Sequence, residues 1–231
     1  MTELLNESVR TQIREVFAEL KEPVHILFFG SEEDCTYCND TRQLVEEVVA
    51  LSDKLSLGIH DLRTDTALAN QFHVDKAPTL VIAAQKGSDV TDLGIRLAGI
   101  PGGHEFTSLI QDILLVSGRD SGLSPASREF LKGLTRPIQL QVFVTPTCPY
   151  CPRAVVLAHR MAMENPLVQA EMVEATEFPE LADRHNVSGV PQTTINDGAA
   201  QVVGAVPEID LVAAIRQALQ QEPLGQVSIL P

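Results

Sequence analysis

The sequence predicts an α/β protein made of two tandem copies of one unit, each a central mixed β-sheet flanked by helices. Three observations carry this expectation. Apolar runs of strand length alternate with helix-periodic segments, the whole pattern is played twice, and each copy holds one Cys-x-x-Cys pair at the same place. A chain of 231 residues also suits two units of about 110 residues, each large enough to bury a core.

The first copy opens on the helical stretch Arg14-Glu15-Val16-Phe17, closed by Pro23, and the second on Arg128-Glu129-Phe130-Leu131, closed by Pro137. Each proline leads into an apolar run, residues 24–29 and 138–144, which read as strands. Short polar loops follow, then Cys35-Thr36-Tyr37-Cys38 and Cys148-Pro149-Tyr150-Cys151. After each pair comes a helix, with Leu44, Val45, Val48 and Val49 forming the apolar stripe in one copy and Val155, Val156, Ala158 and Met161 in the other. Buried strands are expected at 55–59 and 168–173, short helices at 67–72 and 179–185, and strands at 80–83 and 193–195. Return strands end at Gly99 and Gly204, and terminal amphipathic helices cover 105–116 and 208–219. The order is α-β-α-β-α-β-β-α, twice. Residues 117–123 are the expected join, which divides the chain into 1–120 and 121–231, and Ser124-Pro125 supplies an N-cap followed by proline at the first helical position. The tail at 222–231 reads as an extended strap.

Composition narrows the function classes. Hydrophobic residues make up 44% and charged residues 21%, ordinary globular values. A net charge of −14 repels phosphate backbones and anionic headgroups, so neither nucleic acid nor a membrane surface is an expected partner. The longest apolar stretches, such as 79–84, are strand-sized. The start Met1-Thr2-Glu3 lacks the basic and apolar regions of a secretion signal, so the expected location is cytoplasmic. Four cysteines are too few for a disulfide scaffold and point to redox chemistry. The 109 residues between Cys38 and Cys148 do not resemble the spacing of a zinc ribbon, and no Gly-x-Gly-x-x-Gly fingerprint follows a strand. No metal or organic cofactor is expected.

A second landmark gives the cysteine pairs their meaning: Pro78 follows Cys35 by 43 residues, and Pro191 follows Cys148 by the same 43. With these features the chain resembles the thioredoxin superfamily over almost its whole length, each half looking like one thioredoxin-fold unit. The doubling resembles the protein disulfide oxidoreductases of thermophilic prokaryotes, and Cys-Pro-Tyr-Cys resembles the glutaredoxin dipeptide. The resemblance implies a thiol-disulfide oxidoreductase whose two prolines are cis and packed against the cysteines, with Ala77-Pro78 and Val190-Pro191 as substrate-docking corners. It further implies disulfide-containing proteins as substrates and an NADPH-dependent flavoprotein of the thioredoxin-reductase kind as electron donor. A dedicated electron-donor module for a peroxiredoxin-type system and a non-enzymatic holdase are the alternatives.

The chemistry follows from where a helix would start. Unpaired amides and the positive dipole end favour thiolate at Cys35 and Cys148, the expected nucleophiles, and Cys38 and Cys151 then resolve the mixed disulfide. Glu32-Glu33-Asp34 precedes Cys35, whereas Thr145-Pro146-Thr147 precedes Cys148 and Arg153 follows it, so charge favours Cys148 as the more acidic thiol and the main exchange site. The alternative is that the acidic trio is merely a solvated loop. Pro149 is expected to stiffen the helix start. Tyr37 and Tyr150 either cover the disulfides or simply pack beside them. His25, His73 and His185 read as ordinary strand and helix-end residues. No Asp or Glu stands in either strand before a cysteine pair, so a buried proton-transfer carboxylate has no evident counterpart. The physiological direction, reduction, oxidation or isomerisation, depends on redox potential and stays open.

Overall fold

Local signals place the first elements. The Asn6 side chain accepts from the Val9 amide and starts α1 (Glu7–Phe17), and Pro23 then delivers the chain into β1 (Val24–Gly30). The computed structural model describes residues 3–33 and 35–221; Asp34 and the expected strap at 222–231 lie outside the described residues. The first half continues with α2 (Cys38–Val49), β2 (Leu55–Asp61), α3 (Thr66–Gln71), β3 (Thr79–Lys86), β4 (Asp89–Thr91), β5 (Ile95–Ala98) and α4 (Glu105–Gly118). The second half repeats it as α5 (Pro125–Lys132), β6 (Ile138–Val144), α6 (Cys151–Glu164), β7 (Val168–Glu174), α7 (Pro179–Arg184), β8 (Gln192–Ile195), β9 (Ala200–Val203) and α8 (Glu208–Gln220).

The repeat is therefore present with one addition. The first copy carries β4, a short strand hydrogen-bonded to the end of β3 through Lys86 and Asp89, which the sequence pattern did not announce because only three residues form it. The expected join is also narrower than 117–123. Helix α4 runs through Ser117 and Gly118, and Arg119 caps it in the left-handed region at φ 54°. Ser124 caps α5 by accepting from the Ser127 amide, with Pro125 in the first turn, as the sequence indicates.

The described strands form one sheet of nine in the order β2-β1-β3-β5-β7-β6-β8-β9, with β4 beside β3. Strand β5 pairs in parallel with β7, Ile95 opposite Ala170 and Ala98 opposite Val173, so the two halves share a single mixed sheet. Because β1 and β5 are both antiparallel to β3, and β7 is parallel to β5 and β6, strands β1 and β6 point the same way. Their carboxyl ends, which lead into the two cysteine pairs, therefore lie along one rim of the sheet.

One large core underlies both halves. Side chains of α2 (Leu44, Val45, Val48), α4 (Leu109, Ile113, Val116) and α6 (Val155, Ala158, Met161) share it, which places these helices on one face. Two smaller clusters, around Phe29 and Phe72 and around Phe143 and Val173, sit under α3 and α7 on the other face. No helix among the described residues is long and apolar enough to cross a membrane.

Two glycines permit the close approach of the halves. Gly94 has φ +75°, and a Cβ there would lie 2.5 Å from the Val168 carbonyl oxygen; the Gly94 carbonyl itself accepts from the Ala170 amide at 2.8 Å. Gly103 has φ +57°, and a Cβ there would lie 2.2 Å from the carbonyl oxygen of Pro146, two residues before Cys148. Gly87, also left-handed at φ +61°, faces open space. Gly87→Ala should therefore cost only the left-handed strain, about 1 kcal/mol, whereas Gly103→Ala adds a main-chain clash and should cost clearly more. Urea unfolding of the two variants checks this, and equal losses would show that the Gly103 contact does not constrain the chain.

Candidate redox sites

Each strand of a pair ends in a loop that carries the first cysteine, and the second cysteine opens the helix. Helix α2 begins at Cys38 and α6 at Cys151, with Tyr37 and Tyr150 at the N-cap positions. Cys35 and Cys148 thus stand three residues ahead of the helices rather than within them, a shift from the sequence expectation. The helix amides still reach one of them: the Cys151 N–H donates to Cys148 Sγ at 3.1 Å. In the first site the amide contact goes to the other sulfur, with Ser31 N–H donating to Cys38 Sγ at 3.3 Å. The proline in the first turn of α6 is Pro152; Pro149 lies in the turn before the helix and so stiffens that turn instead.

All four cysteines are paired, Cys35 with Cys38 and Cys148 with Cys151, each with Cα atoms 5.5 Å apart. Cys151 is fully buried, Cys38 and Cys148 are nearly so, and Cys35 is partly exposed. A groove of about 530 Å³ opens beside Cys35, lined by Ser31, Glu32, Arg42 and Ile59 among others. Tyr150 is 64% exposed and Tyr37 41%, so neither ring seals its disulfide from water. Among the described residues no group of three or more His, Cys, Asp or Glu side chains is arranged to hold a metal ion.

The Ala77–Pro78 and Val190–Pro191 bonds are both cis. The carbonyls of Pro78 and Pro191 accept from Gly99 N–H at 2.8 Å and Gly204 N–H at 2.7 Å. Among the described residues the main-chain groups of Ala77 and Val190 take no main-chain partner, which leaves them open at the two corners. The first corner is tethered to the second half. Lys76 Nζ, the residue before Ala77, bonds Glu171 Oε1 on β7 at 2.9 Å, and Glu171 Oε2 accepts from Gln141 Nε2 at 3.1 Å. Burial alone would lower the Lys76 ammonium, but Glu171 and Asp75 beside it outweigh that and raise it.

The acidic loop before Cys35 is less unbalanced than its sequence suggests. Glu33 is paired with Arg63 at 2.6 Å, Glu32 is exposed, and Asp34 is outside the described residues. Arg153 is exposed on α6. Charge alone is thus a weak basis for ranking the two thiols.

A stronger asymmetry was invisible in the sequence. Helix α4 of the first half lies along α6 of the second, and the two start at the same rim: the His104 amide donates to the Pro146 carbonyl at 2.9 Å, and Glu105 opens α4. Seven residues on from Glu105, Asp112 Oδ2 bonds His159 Nδ1 at 2.8 Å, and His159 stands eight residues on from Cys151. The shared register puts Glu105 alongside the start of α6. Glu105 is 1% exposed, Ser108 Oγ donates to its Oε2 at 2.6 Å, and among the described residues its buried Oε1 has no partner. Burial, reinforced by Asp112, pushes its carboxyl up to about 7 against the pull of Ser108 and His159. Burial likewise raises Asp112, opposed by its His159 partner. A carboxylate in the first turn of a helix reads in sequence as an ordinary dipole-facing acid, so only the packing of α4 on α6 reveals Glu105 as buried. This buried carboxylate comes from the other half.

The comparisons agree with this architecture. A family model described as a thioredoxin domain matches residues 138–217. The chain is 27% identical to the F subunit of alkyl hydroperoxide reductase in Pseudomonas aeruginosa over 220 residues, which is 93% of this chain but 39% of that protein. The corresponding Escherichia coli protein gives the same identity and coverage. The chain therefore spans about two-fifths of the length of these curated relatives. Among solved structures, the N-terminal domain of the Enterococcus faecalis reductase of the same name superposes with a TM-score of 0.82 at 28% identity, covering 91% of this chain and 99% of that one. A protein disulfide oxidoreductase from Aeropyrum pernix K1 superposes with a TM-score of 0.83 at 34% identity, covering 91% of this chain and 92% of the other. With both cysteine pairs, both cis prolines and the doubled sheet in common register, the chain belongs to the thioredoxin superfamily, in the protein disulfide oxidoreductase family.

Proposed function

We propose that the protein carries out dithiol-disulfide exchange on protein substrates, with Cys148 and Cys151 as the main exchange centre and Cys35 and Cys38 as a second, subordinate one. The observation that carries this reading is the pairing of a helix-start amide on Cys148 Sγ with the buried carboxylate of Glu105 beside α6. In the reducing direction the Cys148 thiolate attacks a substrate disulfide and expels one substrate thiolate. Cys151 then loses its proton and attacks Cys148 Sγ. The second substrate thiol leaves, the Cys148–Cys151 disulfide remains, and two electrons have passed to the substrate. Glu105, a positioning and proton-accepting group at about 7, takes the Cys151 proton, which a thiol with an ordinary value of ~8.5 gives up poorly at neutral pH. Extended substrate chains dock on the open main-chain groups of Val190 and Ala77 beside Pro191 and Pro78. The units 1–120 and 121–231 are the functional halves of the molecule. Re-reduction comes from a separate NADPH-dependent flavoprotein of the thioredoxin-reductase kind.

A second reading has its own support. The relatives named as the alkyl hydroperoxide reductase F subunit match this chain over 93% of its length, which favours service as the electron-donor unit of a peroxide-reducing system. The two readings use the same exchange chemistry and differ in the acceptor. Measured with the purified chain and a thioredoxin-reductase-type donor, rapid reduction of insulin supports the first, and rapid reduction of a peroxiredoxin with poor insulin turnover supports the second.

Cys148→Ser should abolish most insulin reduction while Cys35→Ser leaves a substantial fraction. Equal losses in two folded variants would remove the ranking of the sites. The purified chain should be colourless and should oxidise no NADPH by itself; a bound flavin would contradict the separate donor. Glu105→Gln should slow turnover by about 10²-fold at pH 7 and prolong the mixed disulfide formed with substrate. The same change should show in stability. Glu105 keeps a proton in the folded state up to about 7 that the unfolded chain releases near 4.5, so the native state loses stability as pH rises through this window. Glu105→Gln should remove that loss and stabilise the oxidised protein at pH 8 by up to about 3 kcal/mol, with little gain at pH 4. Urea unfolding across pH reads it, and a parallel pH profile in the variant would refute the buried proton.

A further inference from the structure

The six histidines show no paired spacing in sequence, yet the parallel register of β1 and β2 brings two of them together. His25 lies opposite Ser56 and Phe29 opposite His60, so both histidines stand on the sheet face that carries Leu27 and Phe29, at its outer edge. Between them is Gly58. A Cβ built on Gly58 would lie 2.7 Å from His60 Nε2 and 3.1 Å from His25 Nε2. The two nitrogens face one small volume that the missing side chain leaves vacant.

The other ring nitrogen of His25 is held by an oxygen. His25 Nδ1 lies 2.7 Å from Ser56 Oγ, whose single proton is directed to Gln85 Oε1, also at 2.7 Å. The Gln85 amide is oriented in turn by its Nε2 donating to the Gly87 carbonyl. Ser56 can therefore only accept from His25, which fixes the proton on Nδ1 and leaves Nε2 with its lone pair. His60 Nδ1 lies 3.7 Å from Asp65 Oδ2, beyond hydrogen-bond distance, and that oxygen accepts from the Asp61 amide at 2.9 Å. An imidazole whose Nδ1–H is held by an oxygen and whose Nε2 is bare is the arrangement that metal-binding histidines use. His25 has this arrangement, His60 Nε2 faces it across Gly58, and the ring of Phe29, 5.3 Å from that of His60, helps hold the second ring in place.

We propose that Nε2 of His25 and Nε2 of His60 form a binding site for a borderline divalent transition-metal ion of the zinc kind, distinct from both cysteine pairs. Imidazole nitrogens suit such ions at about 2.0–2.1 Å, and two water molecules complete a tetrahedral set. The His60 side chain is 23% exposed, so water reaches the site. Neighbouring Ile59 lines the groove beside Cys35, so a bound ion ties the two outer strands together directly behind the first redox site.

The test is titration of the oxidised, EDTA-treated and dialysed full chain with Zn²⁺ alone, in which all four cysteines are tied up as disulfides. One saturable ion per chain is expected, with a rise in thermal midpoint on zinc addition. His25→Gln and His60→Gln should each weaken binding at least tenfold. Gly58→Ala should do the same while both histidines remain, and His73→Gln should leave it unchanged. No saturable binding by the oxidised chain, or binding that survives the His25→Gln/His60→Gln double change, overturns the proposal. Should the variants fail to fold, X-ray absorption of the zinc-loaded wild-type chain decides: two imidazoles in the coordination shell uphold it, and fewer overturn it.

Discussion

The parallel pairing of β5 with β7 is the constraint on which the rest of the molecule depends. Two copies of one unit could have been strung on a linker as independent bodies. Instead, four register pairs between Ile95–Ala98 and residues 170–173 close the two sheets into one. Parallel pairing fixes direction as well as adjacency, so β1, β5, β7 and β6 all point to the same rim. It also lays α4, the last helix of the first copy, over the start of the second copy. The left-handed glycines Gly94 and Gly103 are the local cost of this fusion, since a side chain at either would strike the main chain of the other half.

A repeated sequence need not give repeated sites, and the seam shows why. Helix α6, which carries Cys151, has α4 of the preceding copy against it, bringing a buried Glu105, Asp112 and His159 into the same layer. Among the described residues no helix packs against α2, which carries Cys38, as closely as α4 packs against α6. The environments of two nearly identical motifs therefore diverge through position in the chain, before any difference in their own residues is considered. Burying three ionisable groups costs desolvation that Ser108 on Glu105 and the Asp112–His159 contact offset only in part, and the raised Glu105 carboxyl is the residue of that balance.

What was legible in the sequence follows the range of the forces involved. Strand β6 begins and ends where the apolar run after Pro137 begins and ends, because both faces of a central strand are buried and its pattern is local. The Ser124-Pro125 start of α5 is likewise a local signal. The three-residue β4 escaped because nothing in Asp89-Val90-Thr91 distinguishes it from a turn until β3 is beside it. Glu105 and the pair His25 and His60 escaped for the same reason at longer range: each is defined by a residue distant in sequence, across the α4 and α6 seam or the β1 and β2 register. The acidic trio misled in the opposite sense, since Arg63, thirty residues on from Glu33, neutralises part of the charge that the linear sequence displays.

The common rim also limits how the two redox sites can communicate. Strands β1 and β6 are separated by β3, β5 and β7, and at about 4.8 Å per strand their ends stand roughly 19 Å apart. Thiol-disulfide exchange requires an attacking sulfur to come within bonding distance of the other, about 2 Å in the product, and a rigid shared sheet offers no hinge to bring Cys35 to Cys148. Electrons can therefore pass between the sites only through a third party that visits both. Both cis-proline corners open on the same rim, since β3 and β8 begin there beside the ends of β1 and β6. An extended chain laid across that rim meets one corner and then the other without the protein having to move. Under the proposed function this geometry would let a subordinate first site serve a substrate already held at the second, with the fused sheet as a fixed ruler for that transfer.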